Sequence, residues 1–411
     1  MTRRIVVTGL GLVTPLGNDW KTNWRAVQAG QSGIGPITRF DASKIAVQVA
    51  GEVRGFDPHT ILESKEVRHY DRFIHLAVAA TAEALTDAGM IPIDPSEADR
   101  TGVIYGSGMG GLATILEAQA TLQNRGPRRV SPFLSPGSAI NMAAGIISIR
   151  WGLKGPNYGT VSACSTSAHA IADGYYAIQR ADADVMVVGG SEAVIAEVAV
   201  ASFNNAGALS RQSAPIASRP FDANRDGFVI AEGGATLILE ELRHAQARGA
   251  HIYAELVGIG MTGDAYHITA TDPSGNGAAR AMTRALQVAG IAPQAVQYVN
   301  AHATSTKLGD ASETAAIKSV FGPHAYRLAV SATKSMTGHL LGAAGATEAA
   351  YTALALYDQM MPPTMNIEVA DPDCDLDYVP NAARRAMIDV ALSNSNGFGG
   401  ANIAIAMARY R

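Results

Sequence analysis

One cysteine, two histidines and one phenylalanine stand where short apolar runs give way to small residues. Cys164 lies in Val161-Ser-Ala-Cys164-Ser-Thr-Ser-Ala-His169, where a strand is expected to end and a helix to begin. The free N–H groups and dipole of a helix N-terminus favour thiolate, so this placement predicts a lowered pKa and a nucleophile. A small buried thiol that merely packs a helix on a strand has the same local sequence. His302 lies in Val299-Asn-Ala-His302-Ala-Thr-Ser-Thr306. His339 follows Thr-Lys334-Ser-Met-Thr-Gly and precedes the small-residue run Leu340-Leu-Gly-Ala-Ala-Gly-Ala-Thr-Glu348. Each histidine alone reads as a structural hydrogen-bonding group. Three such groups, each at a strand-to-helix junction, point to catalysis, which in α/β sheets gathers at the C-terminal ends of strands. Phe398, alone among glycines in Asn394-Ser-Asn-Gly-Phe398-Gly-Gly400, suits either a mobile gate or a plain glycine-rich turn.

Two other chemistries fit the sequence less well. Gly106-Ser-Gly108-Met-Gly-Gly111 has the spacing of a dinucleotide-binding turn, but the stretch that follows lacks the acidic residue such a site needs. Cys164, His302 and His339 lack the closely spaced ligand pairs usual in zinc sites. Cys374 sits among aspartates that disfavour a thiolate, and reads as structural.

Elements able to position these groups alternate along the chain. Strands are expected at Arg4–Thr8, Thr101–Gly106, Asp184–Gly189 and Val296–Asn300, each a short apolar run. Helices are expected at Phe73–Ala88, Ser165–Arg180, Gly277–Ala289 and Gly338–Met360. Alternation of this kind argues for an α/β fold. A boundary falls near Arg248–His251, giving units of 1–250 and 251–411.

Composition narrows the function. The chain has 411 residues, 47% of them hydrophobic and only 17% charged, with 42 glycines. That predicts a large core and extensive buried surfaces. A net charge of −4 gives no field for nucleic acid, and two cysteines exclude a disulfide framework. No apolar run reaches membrane-spanning length, and the basic start reads as a first strand, not a signal peptide.

Together, Ser-Ala-Cys164-Ser, Asn-Ala-His302-Ala-Thr-Ser-Thr306, Thr-Lys334-Ser-Met-Thr-Gly-His339 and Asn-Gly-Phe398-Gly-Gly resemble the β-ketoacyl-acyl-carrier-protein synthases. Arg4-Ile-Val-Val-Thr-Gly-Leu-Gly and Arg219-Pro-Phe-Asp-Ala-Asn-Arg-Asp-Gly-Phe extend the likeness over nearly the whole chain. These are condensing enzymes of the thiolase superfamily, and the Cys-His-His set matches their type I/II class, closest to type II. The resemblance implies a five-layered αβαβα fold of two similar halves, the first carrying the nucleophile and the second both histidines and the gate. It implies a cytoplasmic homodimer that takes acyl and malonyl groups from acyl carrier protein, extends the Cys164-bound chain by two carbons, and needs no cofactor beyond the carrier's phosphopantetheine. His302 and His339 are implied to stabilise the enolate. The amides of Cys164 and Phe398 are implied to form an oxyanion hole. Lys334 and Glu348 are implied to set the histidines' protonation. Thr304 and Thr306 match hydroxyls that bind the phosphopantetheine arm, with Glu348 also counted near the substrate. Met109 falls at the far end of the acyl pocket. Lys65, Arg68, Arg128 and Arg129 match a carrier-docking patch. Asn300, Glu348, Ser393 and Asn394 match positions around K+ or Na+ in some relatives.

The chain departs from the family pattern at Ala303 (usually Gly), Asn396 (usually Phe) and Ala401 (usually Thr), and Gly207 replaces one position of the basic patch. Three other readings keep part of the resemblance. They are a ketosynthase of a specialised polyketide or polyene pathway, a non-catalytic partner subunit, and a thiolase or hydroxymethylglutaryl-type synthase. The presence of Cys164 with both histidines disfavours the second, and His339 after Thr-Gly disfavours the third.

Overall fold

The short Val- and Ile-rich runs become ten strands of one sheet in the computed structural model, which describes residues 3–411. They are β1 (Ile5–Val13), β2 (Thr101–Gly106), β3 (Asn157–Tyr158), β4 (Val185–Glu192) and β5 (Gly233–Glu241), then β6 (Ala254–Gly263), β7 (Tyr298–Asn300), β8 (Ala329–Ser331), β9 (Val390–Gly397) and β10 (Ala401–Ala408). Their order is β8-β7-β9-β10-β6-β1-β5-β4-β2-β3. The antiparallel pair β1 and β6 joins the halves, with Ile5 opposite Leu256 and Val7 opposite Ala254. Outward from this seam, each half places its first, fifth, fourth, second and third strand in turn. In both, the outer three strands run parallel to one another. The chain therefore contains an internal duplication of topology.

The same packing device recurs in both halves. Helix α1 (Arg72–Asp87) lies on β1 because Gly9 and Gly11 carry no side chain: a Cβ there would stand 2.3 and 1.9 Å from the carbonyl oxygens of Ala84 and Ala80. These glycines also carry β1 past Thr8, where the sequence suggests an end. Gly258 and Gly260 on β6 face the carbonyl oxygens of Ala285 and Ala281 at 2.2 and 2.0 Å in the same sense.

Five layers result. Helices α1 and α2 (Met142–Trp151) share one outer core. Helix α3 (Thr166–Gln179) contributes instead to a central core between the two halves of the sheet. The helix α4 (Asn276–Ala289), which lies on β6, and α5 (Lys307–Phe321) share the other outer core. Helix α6 (Ala344–Asp358) joins α3 in the centre and is buried on every face from Ala344 to Leu356. A helix buried on all sides must be sandwiched, and its alanines let the two halves of the sheet approach closely.

The continuous helix expected over Gly338–Met360 is corrected. Gly338 has φ +72°, and His339 runs extended, donating N–H to Val229 O at 2.7 Å and accepting from Ala231 N–H at 2.9 Å. Its backbone is claimed by a neighbouring strand-like segment, so the long helix starts only at Ala344. Among the described residues no helix is long and apolar enough to cross a membrane.

Candidate active site

Cys164 sits in a single 3-10 turn, Ala163–Ser165, that leads into α3. Ser165 Oγ ties the turn to Ser162 O and Ala401 O, each at 2.9 Å. Ala163 takes φ +52°, a left-handed conformation that costs a non-glycine residue about 1 kcal/mol or more. Strand β9 presses on this turn, since a Cβ on Gly397 would lie 2.5 Å from Ser162 O. The turn is thereby held with the hairpin that carries Phe398 directly against it.

His302 follows β7, and His339 follows the one-turn helix Lys334–Thr337 after β8. The two rings meet edge to face with centroids 5.4 Å apart, and Phe228 stands edge-on to His339 at 5.4 Å. Glu313 of α5 accepts the N–H groups of His302 and Ala303 at 2.9 and 2.8 Å. Lys334 Nζ donates to His302 O at 2.6 Å and pairs with Glu348 on α6.

These groups converge on a cavity of about 540 Å³. Cys164, His302, His339, Phe398, Thr304, Thr306 and Met109 all line it. Thr304 and Thr306 stand with their hydroxyls 3.3 Å apart. The departures Ala303, Asn396 and Gly207 also line the cavity. Lys334 and Glu348 do not. Glu348, expected near the substrate, faces Lys334 in a buried layer behind the histidines, where both side chains are almost fully enclosed.

The electrostatics correct one expectation. Burial pushes the Cys164 thiol up to about 11, not down; Lys334 and the backbone N–H groups of Phe398 and Cys164 oppose the shift. Desolvation of a fully enclosed sulfur outweighs what one helix end and one cation return. Burial, and after it Lys334, holds both imidazoles well below their ordinary value, so they are neutral. His339 leaves both ring nitrogens without a protein partner, and His302 leaves Nδ1. Buried polar atoms are rarely left unpaired, so such nitrogens beside a cavity mark donors for a ligand oxygen.

Sequence reasoning missed several positioning groups. Arg225, in the Arg219–Phe228 motif, is buried and donates to the carbonyls of Asp222, Thr306 and Lys307 at 2.9, 3.0 and 2.8 Å. Asp310 accepts from Ser305 N–H at 3.1 Å, and Ser305 has φ +70°. Together they fix the loop of Thr304 and Thr306. The available signal was two acidic residues, Asp310 and Glu313, three apart on one helix. Glu192 also lines the cavity. It occupies the dinucleotide-like turn, so the N–H groups that would hold a pyrophosphate are already taken.

Asn300 Nδ2 donates to Glu348 O at 3.3 Å, and Ser393 is in register with Asn300 across β9 and β7. Asn394, the next residue along β9, turns to the other side and donates to Glu313 at 3.2 Å. Asn300 Oδ1 and Glu348 Oε2 are buried without partners, the kind of oxygens a hard cation takes. Lys65 and Arg68, on the helix Ser64–His69, and Arg128 and Arg129, on the turn Pro127–Arg129, are exposed and outside the cavity.

A buried thiol, two neutral unpaired imidazoles and a backbone amide pair around one cavity define a thioester-handling, acyl-transferring site. The chain matches the β-ketoacyl synthase N-terminal domain over residues 2–245 and the C-terminal domain over 253–368. It is 51% identical to the 3-oxoacyl-[acyl-carrier-protein] synthase 2 of Synechocystis, over 100% of this chain and 99% of that protein. The ishigamide ketosynthase/chain length factor superposes with a TM-score of 0.93 at 34% identity, covering 100% of both chains. The AntDE:AntF complex, a type II polyketide ketosynthase with its acyl carrier protein, superposes with a TM-score of 0.91 at 33% identity, again over 100% of both chains. The chain belongs to the β-ketoacyl synthase family, and its fold is the thiolase-like one of that family.

Proposed function

We propose that the protein is a 3-oxoacyl-[acyl-carrier-protein] synthase of the type II elongating class, acting in fatty acid synthesis. The observation that carries this reading is the cavity in which Cys164, His302 and His339 meet under the Phe398 hairpin. Cys164 Sγ attacks the thioester carbonyl of an acyl carrier protein. The carbonyl oxygen accepts the N–H groups of Cys164 and Phe398, and the bond to the carrier sulfur breaks. The released carrier thiol takes the proton that Cys164 loses, so the buried sulfur never holds charge for long.

Malonyl carrier protein binds next, its arm against Thr304 and Thr306. Its carboxylate leaves as CO₂, and the freed electron pair forms an enolate whose oxygen accepts N–H bonds from His302 and His339. One such donor is worth about 2.7–4 kcal/mol when charge develops against it. Neutral imidazoles suit this role, because each keeps one N–H to donate and none is spent on the protein. The enolate carbon attacks the acyl carbonyl, the bond to Cys164 Sγ breaks, the released thiolate takes a proton from solvent, and a 3-oxoacyl chain two carbons longer departs on its carrier.

The partner is acyl carrier protein, docking at Lys65, Arg68, Arg128 and Arg129, whose exposed positive charge suits an acidic partner. The second partner is another copy of this chain. Strand β3 is an open sheet edge, and Ile149 and Val161 nearby are 79% and 58% exposed; unpaired edges and bare apolar side chains are normally covered. A K+ or Na+ ion held by Asn300, Glu348 and Ser393 would neutralise the acidic layer behind the histidines. A free catalytic thiol needs reducing surroundings, which supports a cytoplasmic location. The higher identity to the Synechocystis synthase than to the ishigamide and AntDE ketosynthases favours fatty acid synthesis over the specialised alternative.

Intact mass after incubation with short-, medium- and long-chain acyl carrier proteins tests the reading. The wild type should gain one acyl group and Cys164→Ala none. A folded wild type that accepts no chain would overturn it. Light scattering should give twice the chain mass, and a monomer would refute the proposed pairing.

A further inference from the structure

The turn Gly106–Gly111 has the spacing of a phosphate cradle, and its N–H groups do hold an anion, but one that belongs to the protein. Glu192, the last residue of β4, is wholly buried beside the cavity. Its Oε1 accepts Ser107 Oγ–H at 2.8 Å and Met109 N–H at 3.1 Å. Its Oε2 accepts Gly108 N–H at 2.7 Å and Gly342 N–H at 3.0 Å. A Cβ on Gly108 or Gly342 would lie 2.7 Å from Oε2, so only glycine lets these two backbones reach the carboxylate. The donors come from both halves of the fold. Gly108 and Met109 follow β2, while Gly342 stands three residues after His339. Met109, Glu192, Cys164 and His339 all line the one cavity.

We infer that Glu192 is a positioning residue whose carboxylate binds the Met109 wall of the acyl cavity to the segment carrying His339, fixing their separation and with it the depth of the cavity. Four neutral donors satisfy its oxygens, and no ion pair neutralises it among the described residues. Its carboxylate faces the cavity and, after burial, adds to what disfavours a thiolate at Cys164. The assignment rests on the condensing-enzyme reading for what fills the cavity, but not for how its wall is held.

The experiment pairs Glu192→Gln with Glu192→Asp, both first checked for folding by thermal melting. The amide nitrogen of Gln cannot accept, so two of the four donors lose their partner and the charge is gone. In Glu192→Gln, iodoacetamide labelling of the Cys164 peptide should shift to lower pH by about 0.5 unit, making it about threefold faster at a fixed lower pH. The set of acyl chains loaded from carrier protein should also change in length. Glu192→Asp keeps the charge on a shorter arm, so the loaded set should change while the labelling profile stays. If Glu192→Gln labels and loads as the wild type does, the inference fails. If Gln does not fold, an unchanged loaded set in Asp overturns it instead. A wild type that loads no chain refutes the proposed function, and the labelling arm then still decides the role of Glu192.

Discussion

Replacing Lys334 by Met separates what this buried cation does for stability from what it does for the chemistry. Lys334 and Glu348 are only 2% and 3% exposed, and the ammonium also donates to His302 O at 2.6 Å. Removing the cation leaves Glu348 enclosed with an uncompensated charge, which costs about 3–5 kcal/mol. Glu348 answers by taking up a proton, since burial already pushes its carboxyl upward and Lys334 is the chief opposing influence. The site responds as well. Lys334 is the largest influence opposing the rise of the Cys164 thiol, so its loss raises that thiol further. It also helps to hold both imidazoles low, so they rise too. Denaturant midpoints should therefore fall in Lys334→Met, and iodoacetamide labelling of Cys164 should move to higher pH by about one unit, or roughly tenfold slower at a fixed pH. The double variant Lys334→Met/Glu348→Gln removes both charges. It should regain more than half of the lost stability, because neutral pairs are tolerated where half of an ion pair is not, while the thiol stays slow. An unchanged midpoint in the single variant, no recovery in the double, or faster labelling in either would refute the reasoning.

Other outcomes follow from the same structure. Met109→Ala should lengthen the longest acyl chain loaded, by about the three heavy atoms the truncation deletes; an unchanged mass profile would exclude Met109 as a pocket wall. Arg128→Glu with Arg129→Glu should raise KM for acyl carrier protein about tenfold at low salt and less at high salt, with kcat little changed. Glu83 accepts the N–H groups of Leu12 and Trp20, and burial pushes its carboxyl up to about 8 from 4.5. The folded chain then holds a proton that the unfolded chain releases, so stability falls as pH rises through that range. Glu83→Gln should remove this dependence, worth up to about 5 kcal/mol over the full shift, in urea midpoints taken below and above it.

Much of the chemistry was legible in the sequence because it depends on residue type next to element ends. Cys164, His302, His339 and Phe398 each follow a strand or a turn marked by small residues, and period and punctuation place such junctions without tertiary information. The strands Thr101–Gly106 and the helices around Phe73 and Gly277 were legible for the same reason. What folding alone decided is how far each group lies from water and from groups remote in the chain. The helix end predicts an acidic thiol, and burial between the two halves of the sheet reverses that. The helix expected through His339 was displaced because its backbone pairs with Val229 and Ala231, more than a hundred residues earlier. The duplication of topology was invisible because the halves share strand order and paired glycines, not an evident repeat. The glycine turn at Gly106–Gly111 shows the division most directly. Its spacing is that of a dinucleotide-binding turn, a reading the following sequence disfavours, and only the tertiary structure shows that its N–H groups hold Glu192, brought there by β4 from eighty residues further on.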